Sequence, residues 1–405
     1  MASAEASGTI LPIMNQKRVL ILSTSAGTGH VRAAEALEKE FLRDPRVGRV
    51  IHEDALKFTN KLFREFYSTL YLKLVRSAPE VLGWMYKASD EPWKGEAARV
   101  QLDRLNTQKL VKFVGEFAPD ITVCTHFMPA GIISHLLEHG RLQTQHSIVV
   151  TDFDCHAMWL SRMFQRYFVA LEETRAHLEA LGLPGERITV SGIPIDPIFA
   201  APVDRMAVRV ALGLHPEKTT LLLSAGAFGV GPTALIVERL KGLRHDAQTI
   251  VICGKSDEVR AQVEAAVAGD VRFRVLGYSD RMHELMRVSD LFIGKPGGLT
   301  TSEALACGLP LAVFSPIPGQ EERNADHLLE EGAGIRCHEL TTLPHKIDRV
   351  LGDPSRLVAM REAARRLGRP HSARTVVQTL LEDDRPPYAL AAEQREAITQ
   401  AAARE

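Results

Sequence analysis

Two doubly wound α/β domains facing one cleft are the architecture this sequence predicts, on three observations. First, short continuous apolar runs of the kind buried in parallel sheets recur along the chain, among them Arg18–Ser23, Asp120–Cys124, Ser147–Asp152, Thr219–Ser224, Thr249–Gly254 and Asp290–Gly294. Helical patterns separate these runs, which is the alternation of a parallel sheet. Second, each half opens with a strand, a glycine-rich loop and a helix. Third, Phe199-Ala-Ala-Pro-Val203, with Pro197 just before it, interrupts the pattern with two prolines and small residues ahead of a fresh helix. The expected division is a loose tail over 1–16, a first domain over 17–199, a second over 203–370, and terminal helices over 371–405 that could cross back to the first.

The 405 residues suffice for two domains with a sizeable core. Apolar residues make up 45% and charged residues 24%, and the formal net charge is -1, so no overall charge points to nucleic acid and any membrane attraction must be local. Cys124, Cys155, Cys253, Cys307 and Cys337 are scattered, without metal or disulfide spacing, which points to a reducing cytosol. No stretch has the length and apolarity of a membrane span, and Met1–Ser7 lacks the basic start of a signal peptide. The expected location is the cytoplasm, with any lipid substrate met at the inner face of the membrane.

In chain order, Arg18–Ser23 reads as a buried strand. Ala26-Gly-Thr-Gly-His30 turns into a helix over Val31–Phe41, and Arg49–His52 is the next strand. Gly27, Gly29 and Ala33 resemble a degraded dinucleotide fingerprint whose third glycine is absent. His30 would sit at a helix N-terminus, where the dipole favours the neutral form. It either fills a cap position or takes a proton from a hydroxyl. From Leu62 to Val75, paired apolar residues recur every four positions, flanked by Lys57, Lys61, Arg64, Lys73 and Arg76, with Trp84 and Tyr86 beyond. Such a stripe packs on its own sheet or lies in a membrane interface. His135-Leu-Leu-Glu-His139 matches an inverted zinc-protease pattern but lacks a third ligand, and no metal is expected. Ser147–Asp152 ends in polar residues at the strand edge where open α/β sheets bind ligands. His156 and Trp159 follow it.

The second half carries the clearest signal. Strand Asp290–Gly294 runs into Lys295-Pro-Gly-Gly-Leu-Thr300, and a helix begins near Leu299. Gly297 and Gly298 let the backbone approach an anion, which the free N–H groups and dipole of the new helix favour. Glu303 lies one turn in, on the face toward the loop. A carboxylate beside a phosphate site makes sense where it accepts hydrogen bonds from sugar hydroxyls, so the combination suggests a nucleotide. The plain alternative is an ordinary β–α turn ending at Gly308. Ala225–Pro232, with Gly229, is a second glycine loop facing the first across the cleft. Pro318-Gly-Gln-Glu321 offers Gln320 and Glu321 to sugar hydroxyls, or forms a polar turn.

The Lys-Pro-Gly-Gly-Leu-Thr-Thr-Ser-Glu-Ala segment from Lys295 and the Pro-Gly-Gln-Glu segment from Pro318 resemble the donor site of a GT-B glycosyltransferase family. That family comprises monogalactosyldiacylglycerol synthases, processive diacylglycerol glucosyltransferases and the lipid-linked N-acetylglucosaminyltransferase of peptidoglycan synthesis. The resemblance covers Val19 to Ile335, is strongest in the second half, and is closest to the diacylglycerol branch. It implies a GT-B fold and transfer of a hexose, glucose or galactose, from a UDP-sugar to diacylglycerol or another lipid, with inversion. It implies that His30 is the base, and that Gly29, Asp152, His156 and Trp159 lie on the acceptor side. On the donor side it implies Gly229, Gly254, Tyr278 and Met282, then Lys295, Gly297, Gly298, Leu299, Thr300 and Glu303, then Gln320 and Glu321. No cofactor beyond the UDP-sugar substrate is implied. Where the plant-like branch has a denser glycine run, this chain has Ser-Ala-Gly-Thr-Gly-His30, which leaves the phosphate contact at Gly27 and the acceptor class open. The competing readings are a UDP-sugar epimerase on the same fold, a dinucleotide oxidoreductase using Gly27–Gly29, and a non-catalytic sugar-nucleotide sensor.

Overall fold

The computed structural model describes residues 16–25, 27–60, 79–93, 108–226 and 231–403. The tail over 1–15, the apolar stripe over 62–75 and Gly229 lie outside the described residues. The first sheet comprises β1 (Lys17–Ser23), β2 (Val47–Asp54), β3 (Ile121–Cys124), β4 (Gln145–Val149), β6 (Arg166–Val169) and β7 (Ile188–Val190), with β5 (Met163–Phe164) beside it. Its order is β2-β1-β3-β4-β6-β7, parallel throughout. The second sheet comprises β8 (Thr219–Ser224), β9 (Ala247–Ile252), β10 (Phe273–Leu276), β11 (Leu291–Gly294), β12 (Leu311–Phe314) and β13 (Gly334–Cys337). Its order is β10-β9-β8-β11-β12-β13, again parallel.

Val19, Leu20, Ile21 and Leu22 of β1 are fully buried, which is why the strand reads as an unbroken apolar run rather than an alternation. Helices cover both faces of each sheet. In such sheets the ligand crevice opens beyond the strand C-termini, where the strand order reverses. That point lies between β1 and β3 in the first sheet and between β8 and β11 in the second. The loops leaving β1, β3, β8 and β11 therefore converge on the gap between the two sheets.

The two halves share a core. Ala33, Phe153, Ile193 and Ile195 from the first pack with Leu299, Ala304 and Leu305 from the second in one apolar cluster. The connection between the halves is a turn of 3-10 helix, Pro197–Ala200, followed by a helix over Arg205–Ala211. That helix starts two residues later than its sequence suggests, because the Asp204 side chain caps it by accepting a hydrogen bond from the Ala207 N–H at 3.0 Å.

The chain then returns to the first sheet. Helix Ser372–Glu382 packs Ala373, Val376, Val377 and Leu380 against Leu37 and Phe41. A two-residue strand β14 (Tyr388–Ala389) pairs antiparallel with β5, and Ile398 of the last helix is buried in the first-domain core. Asp383 fastens this return. Burial pushes its carboxyl up, but hydrogen bonds from Arg385 (2.6 Å) and Arg166 (2.8 Å) outweigh that and hold it well below the usual range. Among the described residues, no helix is long and apolar enough to cross a membrane.

Candidate active site

A cleft of about 310 Å³ separates the ends of the two sheets. Gly27, Thr28, Gly29, His30, Arg32, Thr151 and Asp152 line it from the first sheet. From the second come Gly226, Gly254, Tyr278, Met282, Lys295, Gly297 through Thr300, Glu303, Gln320 and Glu321. Most of the residues singled out in the sequence meet here, although they span some three hundred positions.

Two helix N-termini face each other across this gap. Helix Thr28–Phe41, with Gly27 as its N-cap, starts three residues before the Val31 its sequence suggests, so His30 lies in its first turn. Helix Gly298–Ala306 begins at Gly297. No side chain caps either helix. Their first N–H groups are left to whatever occupies the cleft, and they favour an anion. The helices meet through small residues: a β-carbon on Gly29 would lie 3.7 Å from Cβ of Leu299.

His30 has its protonation written into its contacts. Its Nδ1 lies 3.0 Å from the Thr125 carbonyl oxygen and 2.7 Å from Thr151 Oγ1. A carbonyl only accepts, so Nδ1 carries the hydrogen and Nε2 is left with a free lone pair. Thr125 Oγ1 in turn donates to the His30 carbonyl at 2.9 Å, and the His126 ring packs edge-on at 4.7 Å. Burial pushes the pKa down to about 4, opposed by the bond to Thr125, so the imidazole is neutral at physiological pH. Burial thus joins the helix dipole as a reason for the neutral form.

On the opposite wall, burial pushes the Glu303 carboxyl up to about 7, while nearby Arg32 draws it down. Lys295 has its pKa lowered by burial and raised by Glu321 beside it. Glu321 accepts a hydrogen bond from the Ile317 N–H at 2.7 Å, which orients the carboxylate toward the Gly297 turn. Burial pushes the Asp152 carboxyl up to about 7 as well, while Gln320 of the second domain draws it down. Asp152 therefore lies near enough to Gln320 and Glu321 across the cleft for each to act on its charge.

His156 and Trp159 stand apart from this lining. His156 Nδ1 accepts from the Met158 N–H at 3.0 Å, and Nε2 donates to the Tyr86 carbonyl at 2.8 Å, so both ring nitrogens are engaged in local structure. Trp159 is buried, its ring 6.4 Å from that of His30, and acts as packing behind that imidazole. His135, Glu138 and His139 lie close enough to share a cation. Glu138, however, faces Arg162 at 3.6 Å and Arg395 at 3.7 Å, which compensate its charge.

Three further residues shape the site: Arg32 and Asn324, which carried no signal in the sequence, and Thr151, which the sequence offered only as part of the polar strand end Ser147–Asp152. Thr151 joins the two walls: its hydroxyl meets His30, and its carbonyl abuts Gly298. Asn324, fully buried, accepts from the Phe153 N–H at 3.2 Å and donates to the Pro296 carbonyl at 2.9 Å. Arg32 reaches across the cleft to the Tyr278 hydroxyl at 3.3 Å. Each acts between segments distant in the chain, so no local motif announces its partner.

Residues 30–195 match the family described as monogalactosyldiacylglycerol (MGDG) synthase, and residues 224–380 match the glycosyltransferase family 28 C-terminal domain. A processive diacylglycerol beta-glucosyltransferase of Bacillus mycoides (strain KBAB4) is 30% identical over 378 residues, covering 92% of this chain and 95% of that protein. The protein of the same description from Bacillus subtilis (strain 168) is 29% identical over 373 residues, covering 91% and 95%. Among solved structures, MurG of Acinetobacter baumannii superposes with a TM-score of 0.57 at 17% identity, over 90% of this chain and 99% of that one. A UDP-GlcNAc 2-epimerase from Neisseria meningitidis bound to UDP-GlcNAc gives 0.57 at 12% identity, over 90% and 100%. At these identities the structures share the fold alone.

Proposed function

Because the chain belongs to the family of the monogalactosyldiacylglycerol synthases and processive diacylglycerol beta-glucosyltransferases and is a UDP-sugar-dependent hexosyltransferase, we propose that it moves glucose from UDP-glucose to diacylglycerol, with inversion, at a membrane surface. The observation that carries this reading is the neutral His30, whose unprotonated Nε2 faces a cleft opposite the uncapped N-terminus of helix Gly298–Ala306.

The diphosphate lies against the N–H groups of Gly298, Leu299 and Thr300, with Lys295 adding positive charge. The turn at Gly254, the ring of Tyr278 and Met282 border the nucleoside, and Glu303 accepts from the ribose hydroxyls. Gln320, Glu321 and Asp152 orient the hexose. The acceptor enters beside Gly29 and His30. Its hydroxyl oxygen forms the new bond to the anomeric carbon as the bond from that carbon to the diphosphate oxygen breaks. The hydroxyl proton passes to His30 Nε2, and the electron pair of the broken bond leaves on the diphosphate. A single displacement on an α-linked sugar nucleotide gives a β-glycoside, in keeping with the beta-glucosyl products in the relatives' names.

Contact with the membrane falls to helix Pro79–Ala88. Trp84 is 70% exposed and Val81 46%, three residues apart on one face, with exposed Lys87 beyond. An indole and a lysine on an apolar helical face suit a lipid interface. The other face is turned inward, with Tyr86 packed on His156 at a ring distance of 4.3 Å. The test is a donor screen on vesicles containing diacylglycerol, read by product mass and anomeric configuration. A β-glucosyl lipid is the expected product. Turnover of UDP-glucose to an epimer without lipid would overturn the reading.

A further inference from the structure

Arg32 stands two residues beyond His30, on the same helix. We propose that Arg32 is a positioning residue which the acceptor-side domain contributes to the nucleotide site: by clasping Tyr278 it ties occupancy of the uridine pocket to the placement of His30. This rests on reading the cleft as a UDP-sugar site.

The guanidinium donates to the Tyr278 hydroxyl at 3.3 Å, across 246 positions of sequence. Tyr278 is 50% exposed, yet it is held from two domains. Lys255 of its own domain lies over the ring at 4.9 Å from the centroid, and Arg32 of the other domain holds its hydroxyl. Two turns further along the same helical face, Lys39 pairs with Asp196. Between them, Ala33 is buried in the cluster that contains Leu299. Helix Thr28–Phe41 is thus seated along its length on the second domain and its approach. Arg32 is the point on that seat where a side chain touches a residue lining the nucleotide cleft.

The charges agree with this placement. Among the described residues lining the cleft, Arg32 and Lys295 are the lysine and arginine cations. Lys295 acts on Glu321 at the sugar end, and Arg32 on Glu303 at the nucleoside end. A bond from a half-buried guanidinium to a neutral hydroxyl is weak enough to break and re-form. A base stacked beside Tyr278 orders that ring, the ring orders Arg32, and Arg32 fixes the first helical turn that carries His30. The nucleoside end of the donor is then sensed by the residue that takes the acceptor proton some distance away.

The test compares Arg32→Gln, Tyr278→Phe, their double variant and Arg32→Lys in the full chain. UDP binding is measured by calorimetry, and turnover of UDP-glucose on diacylglycerol vesicles by product formation. Each single variant is expected to lose about tenfold in kcat, the scale of one hydrogen bond to a charged group, with UDP affinity within about threefold of the parent. The double variant should be no worse than either single one, because both remove the same contact. Arg32→Lys should recover part of kcat. A loss confined to KM, additive single effects or an unchanged kcat in Arg32→Gln would overturn the proposal. A parent protein that binds no UDP would overturn the donor-site reading and the clasp together. A parent that binds UDP and makes glycolipid, beside an Arg32→Gln variant of equal kcat, would remove the clasp alone.

Discussion

The carbonyl oxygen of Thr151 occupies the space that a β-carbon on Gly298 would need. Such a carbon would run into that oxygen and lie 3.0 Å from Cδ1 of Ile193. Backbone cannot yield as a flexible side chain can, so the two domains close to this distance only because residue 298 is glycine. Gly298→Ala should therefore wedge the domains apart, costing about 1–3 kcal/mol in thermal or denaturant unfolding, the range for overpacking. It should lower kcat/KM as well. Gly29→Ala, whose added carbon makes an ordinary 3.7 Å contact with Leu299, should leave unfolding stability nearly unchanged. Equal stabilities for parent and Gly298→Ala would disprove the close approach.

Thr151 also holds His30 Nδ1 with its hydroxyl, 2.7 Å away. His30→Ala removes the proposed base and should lower kcat by about 10²–10⁴, the usual weight of general base catalysis, while UDP-glucose still binds. Thr151→Val keeps the Thr125 carbonyl as partner to Nδ1 and so should fall between the two. Calorimetry and turnover on the same preparations separate binding from chemistry. Full turnover in His30→Ala would remove His30 from the proton path.

The proposed ribose contact of Glu303 predicts that donor binding depends on pH. Burial holds its carboxyl at about 7 in the unliganded protein, against the pull of Arg32. In the proposed site ribose hydroxyls donate to the ionised form, so UDP-glucose should bind best above pH 7. Its affinity should weaken as the pH falls through that value, approaching about tenfold per unit once the carboxyl is mostly protonated. Asp152 titrates in the same range, so the assignment needs Glu303→Gln, in which that component of the slope disappears. Stability has the opposite sign: the contribution of the raised carboxyl is fully present below about 4.5, its ordinary value, and is lost as the pH rises through about 7. Glu303→Gln should gain on the parent above pH 7. Calorimetric titration at several pH values, beside melting curves, reads both.

The parts of the site legible in the sequence share one property: each lies at a strand end followed by its own loop and helix. Gly27 to His30 and Lys295 to Glu303 are single stretches whose residue types dictate the turn, the helix start and the direction of the N–H groups. Parallel strands buried on both faces likewise betray themselves as unbroken apolar runs. What the sequence conceals is pairing between stretches. Thr151 and Gly298, Arg32 and Tyr278, and Asn324 and Phe153 are brought together by domain packing, and nothing in either member of a pair names the other. His156 is the converse. It sits in a stretch that looks functional, yet both ring nitrogens are engaged locally.

The proposed membrane contact has a built-in reporter. Of the three tryptophans, Trp159 is buried and Trp93 half-buried, whereas Trp84 is 70% exposed. A blue shift in emission on adding vesicles would therefore come chiefly from Trp84 entering the interface. Trp84→Ser should weaken vesicle binding by about tenfold, the order expected from an interfacial indole's apolar area, and leave UDP-glucose affinity in solution unchanged. Undiminished vesicle binding in that variant would place the membrane contact elsewhere.

Asn324 is the most exacting of the interdomain contacts, because both ends of one amide are in use. Its Oδ1 takes the Phe153 N–H of the first domain, and its Nδ2 gives to the Pro296 carbonyl beside the donor loop. Neither aspartate nor leucine reproduces that. Aspartate keeps the acceptor, loses the donor and brings a charge into a fully buried position, while leucine leaves a peptide N–H and a carbonyl unpaired. Each buried group left without a partner costs about 1–3 kcal/mol. Asn324→Leu should therefore lower unfolding stability by a few kcal/mol, and Asn324→Asp by at least as much, with the larger loss at high pH where the carboxyl must ionise. Because the same amide fixes the Lys295–Gly298 turn against the strand end that holds Thr151, UDP-glucose affinity and kcat should fall together in the variants that still fold. A variant with parental melting temperature and kinetics would show that the domains are joined without it.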